Sequence, residues 1–181
     1  MLNDATQAYA TWAAENEAAV DARTSAIASA TSYQQQMSGL LSQYADLRNE
    51  LSDYIEQVQT SGSTVDEGYR QFAQASQARR TIRDQMSSLT PPADADAEHT
   101  RLLSIMQDAI AGVEAAERGL DERECTVYGC NVFDQPSFQH FRSESQRIST
   151  AFADAMTAWE DAAQRAVKRA RAMELPDKPE F

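Results

Sequence analysis

The seven-residue spacing of large apolar side chains narrows most what this chain can become. Tyr33, Leu40, Leu47 and Tyr54 recur every seven residues, and Met37, Tyr44, Leu51 and Val58 form a second series three or four positions out of phase. Side chains so spaced share one face of an α-helix. Traced back through Ala26 and Ala19 to Trp12, the first series keeps its period over six intervals. No proline precedes Pro91, and the one glycine in this stretch, Gly39, can bend a helix but does not by itself end one. Residues 4–59 are therefore expected to form one helix of about 85 Å, capped by Asn3 or Asp4. A break near Thr31 to Tyr33 is the alternative.

Three more helices follow from the same reasoning. Thr60-Ser61-Gly62-Ser63 reads as a turn, and Thr64 with Glu67 forms a capping box for a helix over 65–89. Its stripe is Val65, Phe72, Ala75, Ile82, Met86 and Leu89, with Tyr69 at the edge, and Thr90-Pro91-Pro92 stops it. A third helix over 94–121 begins with acidic residues that suit its dipole, and turns His99, Leu103, Met106, Ile110, Val113 and Leu120 inward. Residues 121–137 lose periodicity. A fourth helix over 137–173 carries Phe138, Phe141, Ile148, Phe152, Ala155, Trp159 and Ala166, and crowds Arg165, Lys168, Arg169 and Arg171 at its end. Residues 176–181, with Pro176 and Pro179, are expected to be a disordered tail. The expected fold is all-α: an antiparallel up-down four-helix bundle in a single domain, 1–175, its long first and last helices overhanging the shorter second and third. On the overhang, Trp12, Val20 and Ile27 pack on the tail of the fourth helix, fold back, or meet another subunit, so a monomer and a homodimer are both compatible.

Charge restricts the partners. The chain of 181 residues carries a formal charge of −12, which opposes phosphate backbones and argues against a nucleic-acid partner. Residues 3–59 and 91–124 each carry a net −6, and in an up-down bundle these two helices lie diagonally, where repulsion is weakest. No stretch approaches the roughly twenty apolar residues of a membrane span, and Met1 opens no signal-peptide pattern, so a membrane is reached only through a missing anchor.

Chemistry is restricted as well. His99 and His140 are the only histidines. HExxH, Gly-rich phosphate loops and dinucleotide fingerprints do not occur. A di-iron bundle needs Glu-x-x-His pairs, whereas Asp96 precedes His99 by three and Ser137 precedes His140. No catalytic, cofactor-binding or metal-ligating residue is assigned, and an enzyme is not expected.

The remaining candidates are few. His99 is read as a core-edge histidine bonded to a nearby polar group, with a ligand-binding or pH-sensing role as the sharper alternative. Arg79 falls on the Phe72-to-Met86 face, where a snorkelling stem is expected and a buried functional cation is the alternative. Cys125 and Cys130 bracket CTVYGC, a spacing that permits a small disulfide loop in an oxidising compartment. Zinc there would need two further ligands, with His140 and Asp134 nearest in sequence. Val127, Tyr128, Val132 and Phe133 are dense for a loop, and either cap the bundle end or form a partner-contact patch. The clusters Arg79-Arg80-Arg83 and Arg165 to Arg171 are expected to pair with acidic helices, with anion or membrane-surface contact as the alternative.

Thr90-Pro91-Pro92, followed after a short acidic-alanine stretch by His99 and Leu102-Leu103, resembles the helical-bundle domains of bacterial secreted proteins and lipoproteins of poorly defined function. The resemblance spans residues 65–165. It implies export, a lost N-terminal signal or lipid anchor and an oxidised Cys125–Cys130 pair, and it carries over no catalytic residue; the lipidated N-terminal cysteine is not present. The leading expectation is a non-enzymatic, extracytoplasmic module that binds a protein or cell-envelope component through the disulfide loop and the overhanging helix ends. The alternative is an extracytoplasmic sensory or small-ligand-binding four-helix bundle, for which a small-molecule pocket near His99 would count.

Overall fold

The computed structural model describes residues 2–61, 65–121, 124–126, 129–131 and 135–178, with side chains for 4–59, 66–121 and 135–178. These residues form an all-α fold of four helices: α1 (Leu2–Ser61), α2 (Val65–Ser87), α3 (Asp96–Asp121) and α4 (Pro136–Arg171). A single 3-10 turn, Ala93–Ala95, leads into α3. The stretch expected to be wholly irregular between α3 and α4 contains a short antiparallel hairpin, β1 (Glu124–Thr126) paired with β2 (Gly129–Asn131).

The first helix runs unbroken for 60 residues, through Thr31 to Tyr33 and through Gly39. Its buried positions Tyr33, Met37, Leu40, Leu41, Tyr44 and Leu51 follow the two seven-residue series. Burial on α1 begins at Ala30, and no residue from Asp4 to Ser29 is buried. The overhang is held near its start by Trp12, whose Nε1–H donates to the Pro176 carbonyl at 3.1 Å, so the chain after α4 turns onto α1 at Pro176.

Opposing residue order marks each pair of neighbours. Along α1 the order Tyr33, Tyr44, Arg48 meets Trp159, Phe152, Ser149 of α4. Tyr44 and Tyr54 of α1 meet Arg79 and Phe72 of α2. Arg80 and Tyr69 of α2 bond Glu114 and Asp121 of α3, and Asp108 of α3 meets Arg147 of α4 at 3.3 Å while Gly119 abuts Phe138. The helices α1 and α3 face each other across the core and meet through long side chains such as Tyr33 and His99.

The core comprises two apolar clusters. One gathers Tyr33, Met37, Tyr44, Met86, Leu102, Met106, Phe152 and Trp159 among others; the second gathers Leu51, Phe72, Val113, Leu120, Phe138 and Phe141. On α3 the fully buried leucine is Leu102, not the expected Leu103, because α3 packs against α2 on one side and α4 on the other and its inward face is wider than a single stripe. The helix α2 ends at Ser87, two residues before the expected Leu89, as Ser88 and Leu89 turn ahead of Thr90-Pro91-Pro92. Thr64 of the expected capping box lies outside the described residues.

Two glycines test this packing. A Cβ at Gly39 meets nothing within 4 Å, whereas one at Gly119 would lie 3.2 Å from the Phe138 backbone nitrogen. Gly39→Ala is expected to stabilise the chain by about 0.5–1 kcal/mol in urea unfolding, since it removes only the entropic cost of a helical glycine. Gly119→Ala is expected to destabilise it, and equal effects at the two positions would contradict the packing of α3 on α4.

Candidate functional site

Between the two apolar clusters lie two buried polar side chains of α2, Ser76 and Arg79, each only 3% exposed. At this level a cleft of about 430 Å³ opens between α1 and α4. The α1 wall is Tyr44, Arg48, Leu51, Ser52 and Ile55, a run of three- and four-residue steps along one face. The α4 wall repeats the pattern with Phe141, Ser145, Ile148 and Ser149, and Arg142 lies at its exposed rim. Arg79 of α2 with Ala109, Gly112 and Val113 of α3 completes the lining. A Cβ at Gly112 would make ordinary contact with Ile148 and Phe141 at 3.9 Å.

The electrostatics of the cleft are opposite to those of the chain. Its lining holds three arginines, Arg48, Arg79 and Arg142, and no carboxylate. Other arginines reach acids: Arg80 pairs with Glu114, Arg147 with Asp108 and Glu144, and Arg169 with Asp94 at 2.9 Å. Among the described residues none of the three cleft arginines has a carboxylate within 4.0 Å. The Arg79 guanidinium lies 5.9 Å from the Tyr44 ring centroid, and its Nε and Nη1 have no hydrogen-bond partner. Burial pulls its pKa below the ordinary value; Tyr44 acts in the opposite sense through charge and a hydrogen bond, and the nearby charge of Arg48 lowers it further. Arg48 is oriented by its own bond, Nη1–H donating to Ser149 Oγ at 3.0 Å.

The expected snorkelling of Arg79 is therefore corrected. Its side chain projects between Tyr44 and the cleft rather than along the surface of α2, because α1 covers that face at Tyr44. The cleft lies at Arg79, one of the two candidate polar-core residues, and His99 is not in its lining.

His99, 4% exposed, belongs to the end of the core that faces the overhang. Trp159 Nε1–H donates to the Tyr33 hydroxyl at 3.0 Å, and that hydroxyl lies 3.2 Å from His99 Nδ1. Indole nitrogen only donates, so the Tyr33 oxygen accepts from Trp159, and the direction of its bond with His99 Nδ1 follows the imidazole tautomer. Neutral His99 serves this chain of bonds in either tautomer, accepting from the Tyr33 O–H through a bare Nδ1 or donating Nδ1–H to the Tyr33 oxygen. Burial pushes His99 below its ordinary pKa, with Asp96 opposing, and burial likewise raises Tyr33 against the pull of the Trp159 bond.

The other expectations distribute as follows. His140 is exposed between buried Phe138 and Phe141. The backbones of Cys125 and Cys130 are direct partners across the hairpin, while their side chains, and Val127, Tyr128, Val132 and Phe133, lie outside the described residues. Among the described residues no three His, Cys, Asp or Glu side chains gather as a metal site, and no helix is long and apolar enough to cross a membrane. Arg48, Arg142, Ser145 and Ser149 went unrecognised in the sequence. One signal was present: Arg48 is one of two basic residues in 3–59, and it stands four after Tyr44 and three before Leu51, on the stripe.

The relay sets a pH dependence. His99 titrates near 6.5 when unfolded and lower when folded, so as pH falls the unfolded chain takes up this proton first. Stability contributed by neutral His99 is complete above about pH 6.5 and is lost as pH falls towards the folded-state value. His99→Gln should cost about 1–3 kcal/mol near pH 7.5, by loss of a buried hydrogen bond, and urea titrations should show that cost shrinking towards about pH 5; a cost independent of pH would contradict the neutral relay. Comparison with known proteins finds no matching family model, no matching curated protein and no matching solved structure.

Proposed function

We propose that this chain is a non-enzymatic, ligand-binding helical bundle whose site is the cleft between α1 and α4. The frame is an antiparallel up-down bundle, a reading supported by the opposed residue order in all four pairs of neighbouring helices. One observation carries the function: a cleft of about 430 Å³, lined by arginines and hydroxyls over an apolar wall, interrupts the core at a buried cation. Its volume falls in the range of small-molecule sites. The lining supplies hydrogen-bond donors and apolar surface, and it contains no carboxylate, thiol or imidazole to carry a proton or form a bond with substrate. Small-ligand binding is accordingly favoured over partner binding as the primary activity.

The test is a fragment screen read by methyl NMR, using neutral, cationic and anionic fragments. Hits are expected to shift the methyls of Ile55, Val113 and Ile148 and to leave those of Ile82 and Leu102 unmoved. A screen in which no fragment favours the cleft methyls would defeat the reading.

An extracytoplasmic location is the second part of the proposal, and the hairpin register supports it. Residues directly opposite in an antiparallel ladder have Cα atoms about 4.5 or 5.5 Å apart, within the span a disulfide bridges, and Cys125 is opposite Cys130. A macromolecular partner, a protein or envelope component, would use the overhang, where Tyr9 and Val20 are exposed. Intact mass of unreduced protein from its native compartment is expected to show a two-hydrogen deficit that reduction abolishes. Two freely alkylated thiols would move the chain to a reducing compartment.

A further inference from the structure

We infer that the ligand of the α1/α4 cleft is a small organic oxyanion, its charged head on Arg79 and its apolar body against Leu51, Val113 and Ile148. The inference rests on the reading of the cleft as a binding site and adds its chemistry.

Four observations converge on it. Arg79 is nine-tenths buried and more, lines the cleft, and has two guanidinium nitrogens, themselves shielded from water, without partners among the described residues. A buried guanidinium is costly unless charge and hydrogen bonds compensate it, and the ring of Tyr44 compensates only in part. Arg48 and Arg142 add two more positive charges to the same lining, which holds no acid. In a chain with 28 acidic and 16 basic side chains, a cleft of three arginines without a carboxylate selects against cations and for anions. An oxyanion accepts from several N–H donors at once, and such charge-assisted bonds are about twice as strong as neutral ones. The fourth observation concerns the rest of the ligand: Leu51, Val113, Phe141 and Ile148 face the same space, so inorganic phosphate alone would leave this wall unused. A hydrocarbon or aromatic body gains from covering it. Carboxylates and phosphate monoesters share the required head chemistry, and a cleft of this volume limits the body to a small molecule.

Calorimetric titration of the full chain tests the assignment with four probes: phenylacetate, phenyl phosphate, phenylacetamide and inorganic phosphate. At least one of the two organic anions is expected to bind with one-to-one stoichiometry, and which one binds more tightly identifies the head group. Each organic anion that binds should do so at least about tenfold more tightly than the neutral amide, the worth of one charged hydrogen bond. Inorganic phosphate should bind more weakly than phenyl phosphate. Arg79→Met should weaken the anion about tenfold to a hundredfold, while melting at or above the wild-type temperature without ligand, since an uncompensated buried charge has been removed. Arg142→Gln, at the exposed rim and away from both apolar clusters, should weaken it several-fold and serves if Arg79→Met folds poorly. Equal affinity for the amide and the acid, or wild-type affinity in the arginine variants, would overturn the anionic assignment while leaving the cleft as the site. Inorganic phosphate as tight as phenyl phosphate would overturn the organic body. Failure of all four probes would overturn the anionic assignment, and the cleft reading would fall with it only if the fragment screen also left the cleft methyls unmoved.

Discussion

The apolar stripe of α1 must be covered, and no other helix is long enough to cover all of it. Helices α2 and α4 pack directly on α1, α3 meets it across the core, and full burial on α1 begins at Ala30. A helix of this length owes its stability to tertiary cover rather than to propensity. The first half of α1 is covered only in part, with Trp12, Ala13, Ala19, Ala26 and Ile27 half-buried, and near its start it bonds the Pro176 carbonyl through Trp12. The length of α1 thus sets the overhang.

Within the covered stretch the core is not uniform. Tyr44 belongs to one apolar cluster and Leu51 to the other, and Arg79 enters at the level between them. An aliphatic side chain there would have joined the clusters into one core. A guanidinium instead keeps them apart. Positions on two separate helices, Arg79 and Gly112, thus border the cleft.

The helices were legible because period and punctuation agree: seven-residue stripes without proline, then Pro91-Pro92 and Pro136 at the breaks. The aromatic face of α4 was legible for the same reason, and all seven of its expected inward residues, Phe138 to Ala166, are buried. The cleft was not. Periodicity identifies which face of a helix turns inward, yet it treats an arginine on that face as a stem reaching outward, which is how Arg79 reads. Whether such a cation snorkels depends on what the neighbouring helix places over it, here Tyr44, and no single helix carries that information. Arg48 and Arg142 become a pair of rim charges only once α1 and α4 are side by side. His99 was legible as a buried polar residue, but its partner Tyr33 stands 66 residues before it, and Trp159, which bonds that tyrosine, stands on another helix.

The sign of the whole chain bears on how a cleft of this kind works. With a net charge of −12, the long-range field repels an approaching anion, so electrostatic steering cannot raise the rate of encounter as it does for proteins of complementary charge. Attraction begins only inside about one Debye length of the cleft, near 10 Å at 0.1 M salt. Affinity must then arise from short-range bonds to a desolvated guanidinium and from the apolar wall, both of which salt screens weakly. Raising ionic strength damps the distant repulsion more than the buried attraction. An anion bound at Arg79 should thus associate no more slowly, and even somewhat faster, as salt increases, the reverse of what an anion-binding patch on a basic protein would do.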